Sequence, residues 1–274
     1  MPLPPTILVF DSGLGGLTVF REIAAARPDA RFIYAADDAF FPYSRHGEAR
    51  LVARVLSAIG ELILSQRPDL MVIACNTAST LVLPQLRERF AIPFVGTVPA
   101  IKPACATSRS KLVSVLGTEA TVAREYTRSL IREFSQGCEV TLVGSRRLAV
   151  LAEASLNGSA VTDAEIAGEI RPCFVEKNGA HTDTVVLACT HYPLLLDRFK
   201  FLAPWQVEWI DPAPAIARRV LELLGPPASN APANPARLIL TSGRAPSPKL
   251  EAALARYGIA KQPGTGFDTP PGSP

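Results

Sequence analysis

Short apolar runs rich in Val, Ile and Leu alternate along this chain with longer stretches of helical period, and this alternation limits the fold more than any other feature. Strands that are apolar on both sides must be covered on both faces, which is the pattern of a largely parallel sheet flanked by helices. Strands are predicted at 6–10, 31–34, 69–74, 93–96, 111–116, 139–143, 184–188 and 207–210. The clearest helix is Glu48–Gln66, where Leu51, Val52, Val55, Leu56, Ile59, Leu62 and Ile63 form one apolar stripe. It stops before Pro68, as a helix should. The expected class is α/β.

An internal echo refines this expectation. Val72-Ile73-Ala74-Cys75-Asn76-Thr77-Ala78 resembles Val186-Leu187-Ala188-Cys189-Thr190-His191-Tyr192: in each, an apolar strand runs into Ala-Cys and then small polar residues, and the offset is 189 − 75 = 114. ILVFDS, ending at Ser12, likewise resembles VSVLGT, ending at Thr118. Two similar halves would produce this, so the expected organisation is two pseudo-symmetric domains with a cleft between them. Residues 1–97 and 211–260 would form the first domain and 98–210 the second. Residues 225–236 (GPPASNAPANPA) read as a Pro/Ala/Asn linker. One more strand (237–241) and helix (248–257) follow, and residues 261–274 read as a disordered tail.

Composition narrows the function. The chain of 274 residues is 48% hydrophobic, enough for a substantial core, and its formal net charge is only +3, with no basic footprint for nucleic acid. No apolar run approaches the ~20 residues of a membrane span. Met1-Pro2-Leu3-Pro4-Pro5 leads into a strand without the layout of a signal peptide, so a cytoplasmic protein is expected. The five cysteines are odd in number and widely spaced, which favours free thiols over a disulfide framework. With no CxxC and no His/Cys cluster, no metal is expected.

In open parallel sheets, ligands bind where strand C-terminal ends feed helix N-termini, and both Ala-Cys junctions fall there. The helix dipole at such a place lowers a thiol's pKa. Any one Cys after an apolar run is most simply a small buried hydrophobe. Two in matched contexts, Cys75 and Cys189, point to chemistry, whereas Cys105, Cys138 and Cys173 lack the context. Asp11 ends the first strand near Cys75, and His191 follows Cys189 by two residues, so each thiol has a group that could help it exchange a proton. Ser12, Asn76, Thr77, Thr118, Thr121 and Thr190 are individually ordinary helix caps, but together they offer donors for carboxylates on both halves. A competing reading takes 11–18 (DSGLGGLT) as a nucleotide loop, with Asp37 or Asp38 at the end of the second strand as the ribose acid. The third glycine of GxGxxG would fall at Thr18, and GK[ST] is absent.

Phe10-Asp11-Ser12-Gly13-Leu14-Gly15-Gly16, Ala74-Cys75-Asn76-Thr77-Ala78, Gly117-Thr118-Glu119-Ala120-Thr121 and Ala188-Cys189-Thr190-His191-Tyr192-Pro193 resemble, in order and spacing, the signature blocks of bacterial glutamate racemases of the aspartate/glutamate racemase family. The resemblance covers about residues 6 to 257. It implies racemisation of glutamate without a cofactor, by a two-cysteine proton transfer that supplies D-glutamate for peptidoglycan. It assigns Cys75 and Cys189 as the acid/base pair, with Asp11, His191 and Glu153 as auxiliaries. Substrate contacts would come from Asp11, Ser12, Tyr43, Ser44, Asn76, Thr77, Thr118, Thr121, Thr190 and His191. The family's usual Pro-Tyr-Gly is Pro42-Tyr43-Ser44 here. The expected partners are the small-molecule substrate and a second copy in a homodimer, with no nucleic acid and no membrane. A non-catalytic binding protein and a nicotinamide dehydrogenase remain as alternatives of other classes.

Overall fold

The computed structural model describes residues 3–228 and 235–260. In chain order the elements are β1 (Thr6–Asp11), α1 (Leu17–Ala26), β2 (Arg31–Ala36), α2 (Glu48–Gln66), β3 (Leu70–Ile73), α3 (Asn76–Arg89), β4 (Phe94–Gly96), α4 (Ile101–Thr107), β5 (Leu112–Thr118), α5 (Glu119–Ala123), α6 (Glu125–Phe134) and β6 (Glu139–Ser145). They continue as α7 (Leu148–Leu156), α8 (Asp163–Ile170), β7 (Glu176–Lys177), β8 (Ala180–His181), β9 (Thr184–Ala188), α9 (Leu196–Leu202), β10 (Glu208–Ile210), α10 (Ala213–Leu224), β11 (Ala236–Leu240), α11 (Pro248–Ala255) and β12 (Ile259–Ala260). The expected tail, 261–274, and residues 229–234 of the expected linker lie outside the described residues.

Two parallel sheets carry the fold. One has the order β12-β11-β2-β1-β3-β4 and the other β10-β9-β5-β6; β7 and β8 form a separate antiparallel hairpin. Within the first sheet the order 2-1-3-4 repeats in the second as 6-5-9-10, so β5, β6, β9 and β10 are the counterparts of β1, β2, β3 and β4. The sequence echo acquires a physical meaning: Cys75 follows the third strand of one sheet and Cys189 the third strand of the other.

Alternate side chains of each central strand feed opposite cores. Ile7 and Val9 pack with Leu17 and Phe20 of α1 and Ile216 and Val220 of α10, whereas Leu8 and Phe10 pack with Leu51, Val55 and Ile59 of α2 and Val82 of α3. In the second sheet Leu116, Val185 and Leu187 face Leu148, Ile166 and Phe199, and Val113, Val115 and Val186 face Ile101 and Ala104 of α4. The predicted α2 has the bounds read from sequence, and each predicted strand lies within two residues of an observed one. Several run longer at their C-terminal ends because parallel pairing continues, with Asp11 opposite Ala36 and Thr118 opposite Ser145. That extra length brings functional side chains onto the last rungs. The pairs β7–β8 and β12 are too short to give a readable period and were not anticipated.

The chain leaves the first sheet after β4 and returns after β10, and α10 then packs on α1. Arg27, just past α1, locks this return. Its guanidinium pairs with Asp29 at 2.8 Å, both side chains being about 95% covered, and donates to the Leu224 and Gly225 carbonyls at 3.2 and 3.1 Å. Removing one partner of a buried pair leaves an uncompensated charge. Arg27→Ala is therefore expected to cost about 3 kcal/mol in urea unfolding; a loss below about 1 kcal/mol would mean that water already solvates this pair.

Candidate active site

The first wall grows from β1. Its last residue, Asp11, is fully buried, and the chain then turns so that the Gly16 N–H donates to Asp11 Oδ2 at 2.9 Å. The glycines here are required by close approach rather than by unusual torsion. A Cβ on Gly15 would lie 2.6 Å from the backbone nitrogen of His191, and one on Gly13 would lie 2.0 Å from Oε1 of Glu153. The Tyr34 hydroxyl donates to the Gly13 carbonyl at 3.0 Å and fixes the turn from beneath. Glu153 and His191 thus fill the space that a phosphate would need above this loop, which disfavours the nucleotide reading.

Cys75 occupies the N-cap position of α3, with its thiol 3.6 Å from Ser12 Oγ. The dipole argument leads one to expect a lowered thiol pKa there, and the structure corrects this. Burial, reinforced by the charge of Asp11, pushes the Cys75 thiol up to about 12, against partial opposition from the Ala78 N–H and Ser12. Asp11 is likewise raised, chiefly by burial, with His191 and the Gly16 and Ser12 N–H groups pulling the other way. Next to Cys75, the amide of Asn76 is buried and neither its oxygen nor its nitrogen has a partner. An unpaired buried amide costs about 1–3 kcal/mol per group, so it marks a place where a ligand's polar groups would be stabilising.

The second wall grows from β5 and β9. Thr118 caps α5, accepting from the Thr121 N–H at 3.1 Å. Its hydroxyl, that of Thr121 and that of Thr77 from α3 form a triangle with edges of 2.9, 3.1 and 3.2 Å, joining the two sheets. Cys189 follows β9 and lies 3.9 Å from His191 Nδ1, while His191 Nε2 is 2.9 Å from Glu153 Oε1 on α7. The same Glu153 oxygen accepts from the Leu14 N–H at 2.7 Å. Burial opposes charging His191, but its contacts with Cys189 and Glu153 and the field of Asp11 outweigh this and raise its pKa well above 6.5.

Ser12, Phe41, Pro42, Tyr43, Ser44, Cys75, Asn76, Thr77, Thr118, Ala149, Cys189, Thr190 and His191 line one cavity of about 20 Å³. That volume is on the order of one water molecule, so the site is closed. Of the residues expected from sequence, Asp11, Thr121 and Glu153 stand behind this lining and act on it through Thr190, Thr118 and His191 respectively. Tyr43 faces differently from expectation: its ring lines the cavity, but its hydroxyl is taken by Asp37 at 2.7 Å. Phe41, Pro42 and Ala149 were not anticipated. Their only sequence signal was proximity to Tyr43 or Glu153, since apolar lining residues carry no motif of their own. Cys105 and Cys173 are core residues of the second half, and Cys138 packs against Cys105, so none of the three reaches the cavity.

Residues 13–220 match the Asp/Glu/Hydantoin racemase family model. The glutamate racemase of Brucella anthropi is 56% identical over 221 residues, covering 80% of each chain, and that of Brucella canis is 54% identical over 230 residues, covering 81% of this chain and 83% of its own. Among solved structures, the Escherichia coli glutamate racemase in complex with L-glutamate and the activator UDP-MurNAc-ala superposes with a TM-score of 0.85 at 40% identity, covering 93% of this chain and 96% of that one. The Aquifex pyrophilus glutamate racemase gives 0.69 at 29%, covering 94% and 96%. With two alike sheets meeting at a closed cavity that holds one cysteine from each, and with a family model spanning most of its length, the chain belongs to the Asp/Glu/Hydantoin racemase family.

Proposed function

We propose that this protein interconverts L- and D-glutamate by a two-thiol proton transfer between Cys75 and Cys189, and that it supplies D-glutamate for peptidoglycan. The observation that carries the reading is that Cys75 and Cys189, each following the third strand of its own sheet, line one closed cavity. Glutamate as substrate is supported by the naming of the similar relatives and by the hydroxyl triangle and unpaired Asn76 amide, donors suited to carboxylates. A cytoplasmic location and a homodimeric state go with this reading.

Starting from L-glutamate, the Cys189 thiolate takes the α-proton; the electron pair of the broken C–H bond stays on Cα, and the Cys75 thiol delivers its own proton to the opposite face. The products are D-glutamate, a Cys189 thiol and a Cys75 thiolate. His191, held by Glu153, is placed to exchange the Cys189 proton, and Ser12 borders the Cys75 sulfur. A thiol held up to about 12 is a weak acid, but it still gives its proton readily to a carbanion, which is far more basic. Neutralising the carbanion from both walls requires that bulk water stay out, as a cavity of this size ensures. Glutamate cannot enter it as it stands, so the two halves must part and close again in each turnover.

In deuterated water, D-glutamate made from L-glutamate is expected to carry deuterium at Cα from the first turnover while recovered L-glutamate stays protiated at low conversion, as read by mass spectrometry. Cys75→Ala and Cys189→Ala should each abolish net racemisation, and Cys138→Ala should retain most activity. Early deuterium in recovered substrate would show one base serving both faces and sink the two-thiol reading.

Gly15→Ala is expected to lower kcat/KM by at least about 100-fold, since its Cβ would collide with the His191 backbone and hold the halves apart; that factor is about 2.7 kcal/mol of transition-state stabilisation. Activity within tenfold of the parent would show that closure at this point is dispensable.

Alkaline stability tests the burial of Cys75. Its folded pKa is above the unfolded 9.0, so between pH 9 and about 12 the folded state keeps a proton that the unfolded chain has lost. Stability is then lost as pH rises. From pH 8 to 10.5 the parent is expected to lose about 2 kcal/mol more than Cys75→Ala in urea titrations, at about 1.4 kcal/mol per pH unit above 9. Equal losses would mean that water reaches the thiol in the folded state.

A further inference from the structure

The cavity wall formed by residues 41–44 belongs to a loop between β2 and α2, and one buried carboxylate ties that loop to three other parts of the first half. Asp37, directly after β2, is fully buried. Its Oδ2 accepts from the Tyr43 hydroxyl at 2.7 Å and from Arg54 Nε of α2 at 3.0 Å; its Oδ1 accepts from the Thr241 hydroxyl at 2.6 Å and from the second nitrogen of the Arg54 fork. Its own N–H donates to the Asp11 carbonyl at 2.8 Å, which joins it to the strand end that carries the first wall. Beside it, Asp38 accepts from the Ser242 N–H at 2.9 Å and from the Ser242 hydroxyl. Thr241 and Ser242 follow β11 and lie beyond the residues matched by the family model.

We propose that Asp37 is a positioning residue for catalysis: by holding the Tyr43 hydroxyl, with Arg54 and Thr241 as its anchors, it fixes the 41–44 wall in the geometry that closes on the substrate. Tyr43 cannot donate its hydroxyl proton to substrate while Asp37 accepts it. Its contribution is the ring surface and the placement of Phe41, Pro42 and Ser44, all of which line the cavity. Phe41 in turn lies against the His191 ring with centroids 5.3 Å apart, so a displaced loop would disturb the Cys189 side as well. The C-terminal strand thereby takes part in shaping the site although no residue of β11 reaches the cavity. A tether of this kind acts on the population of the closed state. Substrate and transition state both need that state, so loosening the tether weakens the binding of both alike.

This inference rests on the racemase reading of the cavity, and two readouts keep the two apart. Tyr43→Phe removes only the hydroxyl. It is expected to raise KM about tenfold for both glutamate enantiomers while kcat stays within about threefold, with unchanged melting temperature. Asp37→Asn and Thr241→Val should shift KM in the same direction, and Tyr43→Phe combined with Asp37→Asn should be no worse than the more affected single variant. Independently of activity, amide hydrogen exchange over 39–46 should be faster in Tyr43→Phe than in the parent. If Asp37→Asn does not fold, Tyr43→Phe and Thr241→Val carry the kinetic test. Unchanged KM in Tyr43→Phe and Thr241→Val, a fall in kcat at constant KM, or multiplying effects in the double variant would overturn the positioning role. A parent protein that does not racemise glutamate would instead overturn the proposed function, and unchanged exchange over 39–46 would then still refute the tether.

Discussion

Exclusion of water from a cavity whose walls are polar is the constraint on which this structure turns. Ten of the thirteen lining residues carry a hydroxyl, thiol, amide or imidazole, yet the space among them is on the order of one water molecule. In so dry a site a charge is opposed by burial and is set almost wholly by its immediate neighbours. Hence the same fold position gives different chemistry on its two sides. Cys75 has a neutral hydroxyl beside it and a carboxylate near by, and it is held protonated. Cys189 has a histidine whose own protonated form is favoured by the sulfur and by Glu153. Two like strand-ends thus have unlike neighbours, a hydroxyl at one and an imidazole at the other, as the proposed two-thiol exchange would need.

The two-sheet architecture supplies the opposition between these groups. A cysteine after the third strand of a parallel sheet stands at its C-terminal edge, and repeating the 2-1-3-4 order as 6-5-9-10 brings a second such edge into being. Setting one edge against the other then places two thiols in one cavity without any single element having to carry both. The cost is that neither half is sufficient. Thr77 belongs to one half and Thr118 and Thr121 to the other, and Glu153 of the second half binds the Leu14 N–H of the first.

Much of this was legible in sequence because it rests on local periodicity and on motifs that flank strand ends. The β9 and α2 bounds, the echo between Cys75 and Cys189, and the cluster of Ser, Thr and Asn donors are all products of short-range pattern. What escaped was non-local. In sequence the Asp37 carboxylate enters only as a ribose acid of the competing nucleotide reading, and nothing near it announces Arg54, 17 residues away, or Thr241, 204 residues away. The sign of the Cys75 shift escaped for a similar reason. The helix N-terminus is visible in sequence, whereas the depth of burial that overrides it is a property of both halves together.

The distribution of contacts between the halves bears on how such a site can open. The ion pair between Arg124 and Glu48 at the outer rim leaves the carboxylate 68% exposed, and exposed pairs of that kind contribute less than about 1 kcal/mol. The inner contacts are stronger in kind: the half-buried Glu153 carboxylate holds the Leu14 N–H and His191 together, and parting the halves there strips a carboxylate acceptor of a backbone donor. On the proposed reading, the substrate's carboxylates would take over such donors, and the ligand would offer partners to the buried Asn76 amide. The buried Asn76 amide is therefore a hydrogen-bonding demand that a polar ligand would meet. On the proposed reading, substrate binding would favour the closed arrangement, so the dry environment that proton transfer needs would also be the one that ligand binding stabilises.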